Sequence, residues 1–243
     1  PHALDFVRYA SMLQGSYAQA SEAAQRGAAS VGTAAEAVNR GEKRVAHSWI
    51  VDKVFGKWDK LLASEQSHKG TPYLDGMWSY VTGSAHIAKG DLAAADAALV
   101  HLKAMAVDPK VDTTGVSPTS ASQVLTLASF ALEGEIKEAR GDLAGAIVAY
   151  TRAVEIEDSN SYTEPPESMR LYLGAAQLDA GMAEEAEATF REDLQWKQQS
   201  GWSTFGLYQA VDAQGRSAEA EIIKRQFDSF WRNADVTLSR AHL

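Results

Sequence analysis

The chain contains side chains of the kinds that bind metals and transfer protons, with six histidines and 32 aspartates and glutamates. Histidine titrates near neutral pH and is the commonest metal ligand, so several such residues at a short helical spacing would indicate a metal or acid–base site. The patterns His-x-x-x-His and His-Glu-x-x-His do not occur in this sequence. We therefore predict that the chain binds no metal.

One pair of these residues is close in sequence, since His2 and Asp5 stand three positions apart. Residues at this spacing lie on the same side of a helix and can interact. The pair has two interpretations, a structural contact or part of a ligand-binding or catalytic groove. We favour the structural contact and keep the second interpretation as an alternative.

Nucleophilic and phosphate-binding patterns are also missing from the sequence. There is no Gly-x-Ser-x-Gly turn that would expose a catalytic serine, and no glycine-rich phosphate loop. Because the chain has no cysteine, it has no thiolate nucleophile, disulfide or cysteine-ligated metal. We predict that the protein is not an enzyme, has no catalytic residue and needs no cofactor.

The composition is that of an acidic globular protein. Its 243 residues include 23 Lys and Arg against 32 Asp and Glu, for a net charge of −9, and 45% of them are hydrophobic. Nucleic-acid binding needs a basic surface, so we expect no nucleic-acid partner. No apolar run approaches the roughly 20 residues that span a bilayer, so we expect no membrane insertion. The compartment stays open.

A glycine recurs along the chain in a similar context. Each is followed two residues later by a residue that begins a predicted helix, and five of the six have Ala five residues later. Glycine ends helices readily because it adopts the left-handed conformation of a C-terminal cap, and a helix that restarts so soon must run antiparallel to the first. The glycines are Gly15, Gly56, Gly90, Gly141, Gly181 and Gly215.

Helical hydrophobic spacing on both sides of these glycines predicts an all-α chain of paired helices. Asp91 and Asp142 stand where N-caps are expected. The predicted pairs are 3–14 with 17–30, 42–55 with 58–66, 73–89 with 92–106, 120–140 with 143–157, 166–180 with 183–199, and 201–214 with 217–232.

The repeated motif resembles the tetratricopeptide repeat, a helical hairpin of 34 residues. The motif is a small residue, six residues of any type, and then Gly-x-apolar-x-x-Ala-x-x-x-aromatic-x-x-Ala. One segment contains every position of this motif, as Gly134, Gly141, Leu143, Ala146, Tyr150 and Ala153. The resemblance implies a single domain, 1–243, that forms a right-handed α-solenoid of about five to six antiparallel helix hairpins. The repeats would be roughly 1–31, 42–68, 73–106, 120–157, 166–199 and 201–232, with a C-terminal cap at 227–243 built on Phe227, Phe230 and Trp231.

Three of the intervals between the glycines exceed 34 residues, so the repeats are interrupted. The insertions fall at 32–41, 109–122 and 158–164. In solenoids such insertions form loops on one face, which is often the binding face. They are also tolerated as plain surface loops, because a longer loop costs little free energy.

In this family the first helix of each hairpin lines a concave groove that binds a partner. Carried over position by position, the resemblance implies the groove residues His2, Asp5, Tyr9, Lys43, Lys53, Tyr80, Ser84, Trp202, Gln209 and Asp212, and beside them Glu135, Glu138 and Asp179. Tyrosine and tryptophan dominate binding hot spots, so Tyr80 and Trp202 suit an apolar peptide anchor. Alternatively, the irregular spacing rotates these aromatic residues into packing between repeats.

Three hypotheses on function follow. The favoured one is a protein–protein interaction scaffold that binds a protein or peptide partner in the groove. The second is a structural subunit of a larger assembly, or a piece of a longer chain, that docks through its uncapped ends or its convex face. The third is a ligand-binding, metal-binding or catalytic groove.

Overall fold

The protein is all-α in the computed structural model, which describes residues 2–32, 40–113, 119–159 and 167–243. These parts contain twelve α-helices and no strand, as the sequence predicts. The helices are α1 His2–Leu13, α2 Tyr17–Ala29, α3 Gly41–Val54, α4 Trp58–Ala63, α5 Pro72–Ala88, α6 Leu92–Ala106, α7 Ala121–Ala139, α8 Leu143–Asp158, α9 Met169–Asp179, α10 Ala183–Trp196, α11 Gly201–Ala213 and α12 Ser217–Phe230.

Consecutive helices pack as adjacent pairs, which confirms the predicted hairpins. The turn after α7 shows how a pair is formed. Gly141 has a φ of +79°, and the backbone N–H of Asp142 donates to the carbonyl of Lys137 at 2.9 Å. This is the glycine-ended helix cap that the sequence predicts. The Asp142 side chain then caps α8 by accepting from the N–H of Gly145 at 2.9 Å.

The same construction recurs along the chain. Asp91 caps α6 by accepting from the N–H of Ala94 at 3.0 Å, so both predicted N-caps are confirmed. The remaining glycines of the series also have positive φ, and they are Gly15, Gly56, Gly90, Gly181 and Gly215. Parts of the predicted insertions, residues 33–39, 114–118 and 160–164, lie outside the described residues.

The odd-numbered helices form the inner layer of the stack. Helix α5 contacts α3 and α7, and α9 contacts α7 and α11, in addition to their hairpin partners. The even-numbered helices pack instead on the odd helices of their own pair and of the next pair. Helices α5, α7, α9 and α11 accordingly bury most of their residues. The stack therefore curves with its odd helices on the inside.

The last helix pair meets the first. The indole Nε1 of Trp202, in α11, donates to the carbonyl of Met12, in α1, at 2.7 Å. The Trp231 ring packs edge-on against Trp202, with 5.1 Å between ring centroids. Asp235 then caps α2, because its carboxylate accepts from the N–H groups of Tyr17 and Ala18 at 2.7 and 2.8 Å. These contacts join segments about two hundred residues apart and enclose the inner face.

Small residues let the helices of a pair approach closely. Gly134 lies against the ring of Tyr150, which is fully buried. A Cβ at Gly134 would stand 2.6 Å from Cδ1 of that ring, and the ring is held in place because its hydroxyl donates to Glu138 at 2.9 Å. Gly174 and the ring of Phe190 repeat the arrangement in the next pair.

We expect Gly134→Ala to lower the free energy of unfolding by about 1–3 kcal/mol, because the added methyl overpacks against Tyr150. The matched control is Gly27→Ala in α2, where an added Cβ meets no atom of the described residues within 4 Å. That control should be neutral or gain up to about 1 kcal/mol from helix propensity. Urea unfolding of both variants is the measurement, and equal effects would contradict the close approach.

Candidate functional site

A buried lysine lies at the centre of the inner face. Lys53, in the last turn of α3, has a side chain that is only 1% exposed. Its Nζ lies 3.2 Å from Oε1 of Glu135, in α7, and 3.3 Å from Oε2 of Glu167, just before α9. Two hydroxyls complete the cluster, since Tyr80 donates to Glu167 at 2.5 Å and Tyr172 donates to it at 2.7 Å. The ammonium also donates to the Tyr172 hydroxyl at 2.6 Å.

The protonation states of this cluster follow from burial and from the pairing of charges. Burial alone lowers the pKa of Lys53, but Glu135 and Glu167 raise it by more, so the ammonium stays charged. Burial raises the pKa of Glu135 by more than Lys53 lowers it. Burial and then the charge of Glu167 raise the pKa of both Tyr80 and Tyr172, which stay neutral hydrogen-bond donors.

The last residues of the sequence lie across this inner face. Residues 236–243, named here the return segment, contain no helix or strand. The side-chain amide of Gln209, in α11, donates to the carbonyl of Ser239 at 3.0 Å. The Arg240 guanidinium pairs with Glu138 of α7 and, at 3.0 Å, with Asp179 of α9. The face therefore contacts both the backbone and a side chain of a segment that has no regular structure and bends at residues 239–241.

The return segment also fits the inner face by shape. The His242 ring stacks on the Tyr172 ring, with 4.3 Å between centroids and 27° between planes. Burial, and then the charges of Arg240 and Lys53, lower the pKa of His242 well below its ordinary value, so the stacked ring is neutral. Ala241 is fully buried and Leu238 is 8% exposed. Tyr172 thus binds the segment with its ring and the Lys53 cluster with its hydroxyl.

A second buried network lies where α8, α10 and α11 meet. The Lys197 ammonium donates to Asp193 and to the Ser168 hydroxyl, both at 3.0 Å, and the Ser203 hydroxyl donates to Asp193. A cavity of about 20 Å³ lies next to this network. Because small-molecule sites are typically several hundred Å³, that space is suited to a water rather than to a substrate.

The structure brings several of the predicted groove residues together. Lys53 and Tyr80 belong to the central cluster, and the Ser84 hydroxyl, 3% exposed, hydrogen-bonds within it and lowers the pKa of Glu135. Gln209 contacts the return segment. Trp202 is 3% exposed and donates to the α1 backbone, so in this conformation it packs between the first and last helix pairs.

The other predicted groove residues lie elsewhere. His2 and Asp5 form an ion pair at 3.9 Å near the start of α1, with Arg44 at the same distance from Asp5. Burial, then Arg40 and Arg8, lower the pKa of neighbouring Lys43 to about 8. The other two are Tyr9, which is partly buried in α1, and Asp212, which is exposed near the end of α11. Partner binding by these residues stays a prediction.

Some residues of the site carry no signal in the sequence. Glu167 falls in the predicted repeat 166–199 but at none of the groove positions that the resemblance implies, and Tyr172 is one of many aromatic residues. Arg240 and His242 belong to the predicted cap, and nothing in their local sequence shows that they return to the inner face. Several contacts that define the site join residues far apart in the sequence, and Lys53 and Glu167 are 114 positions apart.

Comparisons with known proteins identify no family for this chain. No family model, no curated protein and no solved structure matches the chain. Within the described ranges, no group of three or more histidines, aspartates and glutamates is arranged to hold a metal ion. None of the described helices combines the length and apolar character needed to cross a bilayer.

We expect Lys53→Met to lower the free energy of unfolding by about 3–5 kcal/mol, because it leaves Glu135 and Glu167 buried without a cation. Adding Glu167→Gln should recover part of the loss. The control is Lys89→Met, whose pair with Asp59 is 41% and 90% exposed and should be worth about 0–1 kcal/mol. Chemical denaturation compares the three proteins, and equal losses for the two lysines would contradict the buried cluster.

A second prediction concerns pH. The pKa of Glu135 in the folded protein lies above its ordinary value of 4.5, so above pH 4.5 the folded state binds more protons than the unfolded state. Its contribution to stability therefore falls as the pH rises through that window. Replacing it by Gln removes this loss, so we expect Glu135→Gln to gain stability relative to the parent protein from pH 4.5 upward.

Glu133, two residues away, is the matched control for this pH dependence. Burial raises the pKa of Glu133, but hydrogen bonds from Lys103 and Lys137 lower it by more, so its net pKa is lowered. Glu133→Gln should therefore lose stability relative to the parent protein as the pH rises. Unfolding free energies measured between pH 4 and 8 test both, and slopes of the same sign would rule out the assignment.

Proposed function

We propose that this protein is an interaction scaffold whose inner face binds a peptide segment, without regular secondary structure, of a protein partner. The observation that carries the proposal is the return segment itself, a stretch of irregular chain that lies on this face and is contacted by side chains of α7, α9 and α11. A right-handed solenoid of five to six tetratricopeptide-like hairpins is the architecture proposed with it.

The contacts are of the kinds that proteins use to recognise peptides. An amide binds a backbone carbonyl, two carboxylates pair with a guanidinium, and an aromatic face stacks on a flat ring. Charge-assisted pairs of this kind give specificity, and ring stacking adds affinity. The helices that carry these groups are packed on one another, so little ordering cost opposes binding.

The structure also assigns different roles to the aromatic residues predicted for the groove. Tyr80 is fully buried beneath the face and holds Glu167, so its truncation would destabilise the protein as well as the face. Trp202 joins the first and last helix pairs. Asp179, which is 49% exposed, and the partly buried Gln209 are the more direct probes of binding.

The structural-subunit hypothesis rests on a different surface. Phe6 and Val7 on the outer side of α1 are 64% and 48% exposed, a large apolar area for one short helix. Docking through α1 stays a prediction beside the proposal. The ligand-binding or catalytic hypothesis likewise stays a prediction, and its residues His2 and Asp5 lie near the start of α1.

We expect Asp179→Arg to weaken peptide binding at least tenfold, because the substitution reverses a charge on the inner face. Thermal unfolding should be nearly unchanged. A displayed library of random eight-residue peptides is selected against the full chain and against the chain ending at Val236, so that a filled face does not hide binding. The control, Glu185→Arg, makes the same change of charge at an exposed position of outer helix α10. Equal binding to both variants, or no enrichment with either chain, would contradict the proposal.

A further inference from the structure

We propose that the return segment is an intramolecular competitor for the inner face, and that the partner carries the same chemistry. The partner segment would have no regular structure, with an apolar residue, then an arginine, a small residue and a flat ring in the order of Leu238, Arg240, Ala241 and His242. This inference rests on the proposed function and names the class of peptide that the face binds.

The charge of the face selects the basic residue. Glu138 and Asp179 come from different helix pairs, and both oxygens reach the same Arg240 guanidinium. Both carboxylates pair with the same guanidinium nitrogen, Nη2, so the site requires a cation, and arginine is always charged. When the return segment leaves, these two acids lose that cation and become an acidic surface in a protein whose net charge is already −9. An acidic partner segment is therefore disfavoured.

The shape of the face selects the next two residues. Ala241 is fully buried, so a larger side chain at its position has no space. The ring that follows stacks on Tyr172, whose hydroxyl is fixed by Glu167 and Lys53. A flat ring therefore fits better than a branched aliphatic side chain. The backbone carbonyl bound by Gln209, that of Ser239, stands where the segment bends, so the partner segment bends there as well.

The return segment can leave without unfolding the rest of the chain. Residues before it are fixed, because Asp235 caps α2 and Trp231 packs on Trp202. The segment after Asp235 has no regular structure, so its departure breaks no hydrogen bond of a helix or sheet, although it uncovers Leu238, Ala241 and the His242 ring. Because it stays tethered, its effective concentration at the face is on the order of millimolar, and a free peptide of equal affinity competes poorly.

The experiment uses a fluorescein-labelled peptide with the sequence of residues 236–243, Val-Thr-Leu-Ser-Arg-Ala-His-Leu. Fluorescence anisotropy measures its binding to the full chain and to the full-length variant Arg240→Glu. The variant should bind the peptide at least tenfold more tightly, because its own segment is repelled by Glu138 and Asp179. The control, Arg232→Glu, makes the same charge change at an exposed position outside the segment and should bind as the parent chain does.

A second variant keeps the test independent of the arginine. Leu238→Asp removes a buried apolar contact of the segment. The variant keeps Arg240, so trypsin can still cleave after that residue when the segment leaves the face. We expect cleavage there to be at least tenfold faster than in the parent chain, with cleavage after exposed Arg232 as the internal reference. Intact-mass spectrometry follows both sites.

The outcomes separate this inference from the proposed function. Equal binding of the labelled peptide by the parent chain and the Arg240→Glu variant would overturn competition by the return segment. Unchanged cleavage after Arg240 in the Leu238→Asp variant would overturn it as well. If selected library peptides nevertheless bind the inner face, the proposed function stands and only the inference fails. If the variants bind the labelled peptide and no library peptide is enriched, the face binds its own segment and the proposed function fails.

Discussion

The charge of Lys53 is the constraint on which the inner face depends. An ammonium that is 1% exposed is stable only where carboxylates neutralise it, and these come from α7 and from the residues just before α9. The tyrosines that share those carboxylates come from α5 and α9. One buried charge on α3 therefore fixes the relative positions of four of the six inner helices. The surface that binds the return segment is the outer side of this cluster, because Tyr172 belongs to both.

Closure of the chain is the second condition for the face. A curved stack of hairpins has two open ends, and here the last helix pair meets the first through the Trp202 hydrogen bond to Met12. Asp235 then caps α2, whose N-cap residue Ser16 makes no side-chain cap of its own. The cap of a helix near the start of the chain thus comes from beyond the last helix. This contact also directs the residues that follow across the inner face rather than into solvent.

The elements were predictable because their causes are local. A glycine with positive φ, such as Gly141, and an N-cap aspartate, such as Asp142, act within a few residues, so the hairpins could be derived from spacing alone. The site depends on contacts that no local pattern encodes. The family resemblance places Lys53 near the groove, but its partner Glu167 is not among the groove positions that the resemblance implies. The course of residues 236–243 follows from packing of Trp231 and Asp235 on the first hairpin, and only the folded chain shows it.

The division of charge explains why the face would select a basic segment although its centre already contains a lysine. Lys53 is paired with both Glu135 and Glu167, so its charge is already neutralised inside the cluster. Among the described residues, the cation that both Glu138 and Asp179 contact is Arg240 of the return segment. Under the competition proposed above, departure of that segment would leave these two carboxylates without their cation beside the uncovered Tyr172 ring. The face would then attract an arginine of a partner by charge and a flat ring by stacking.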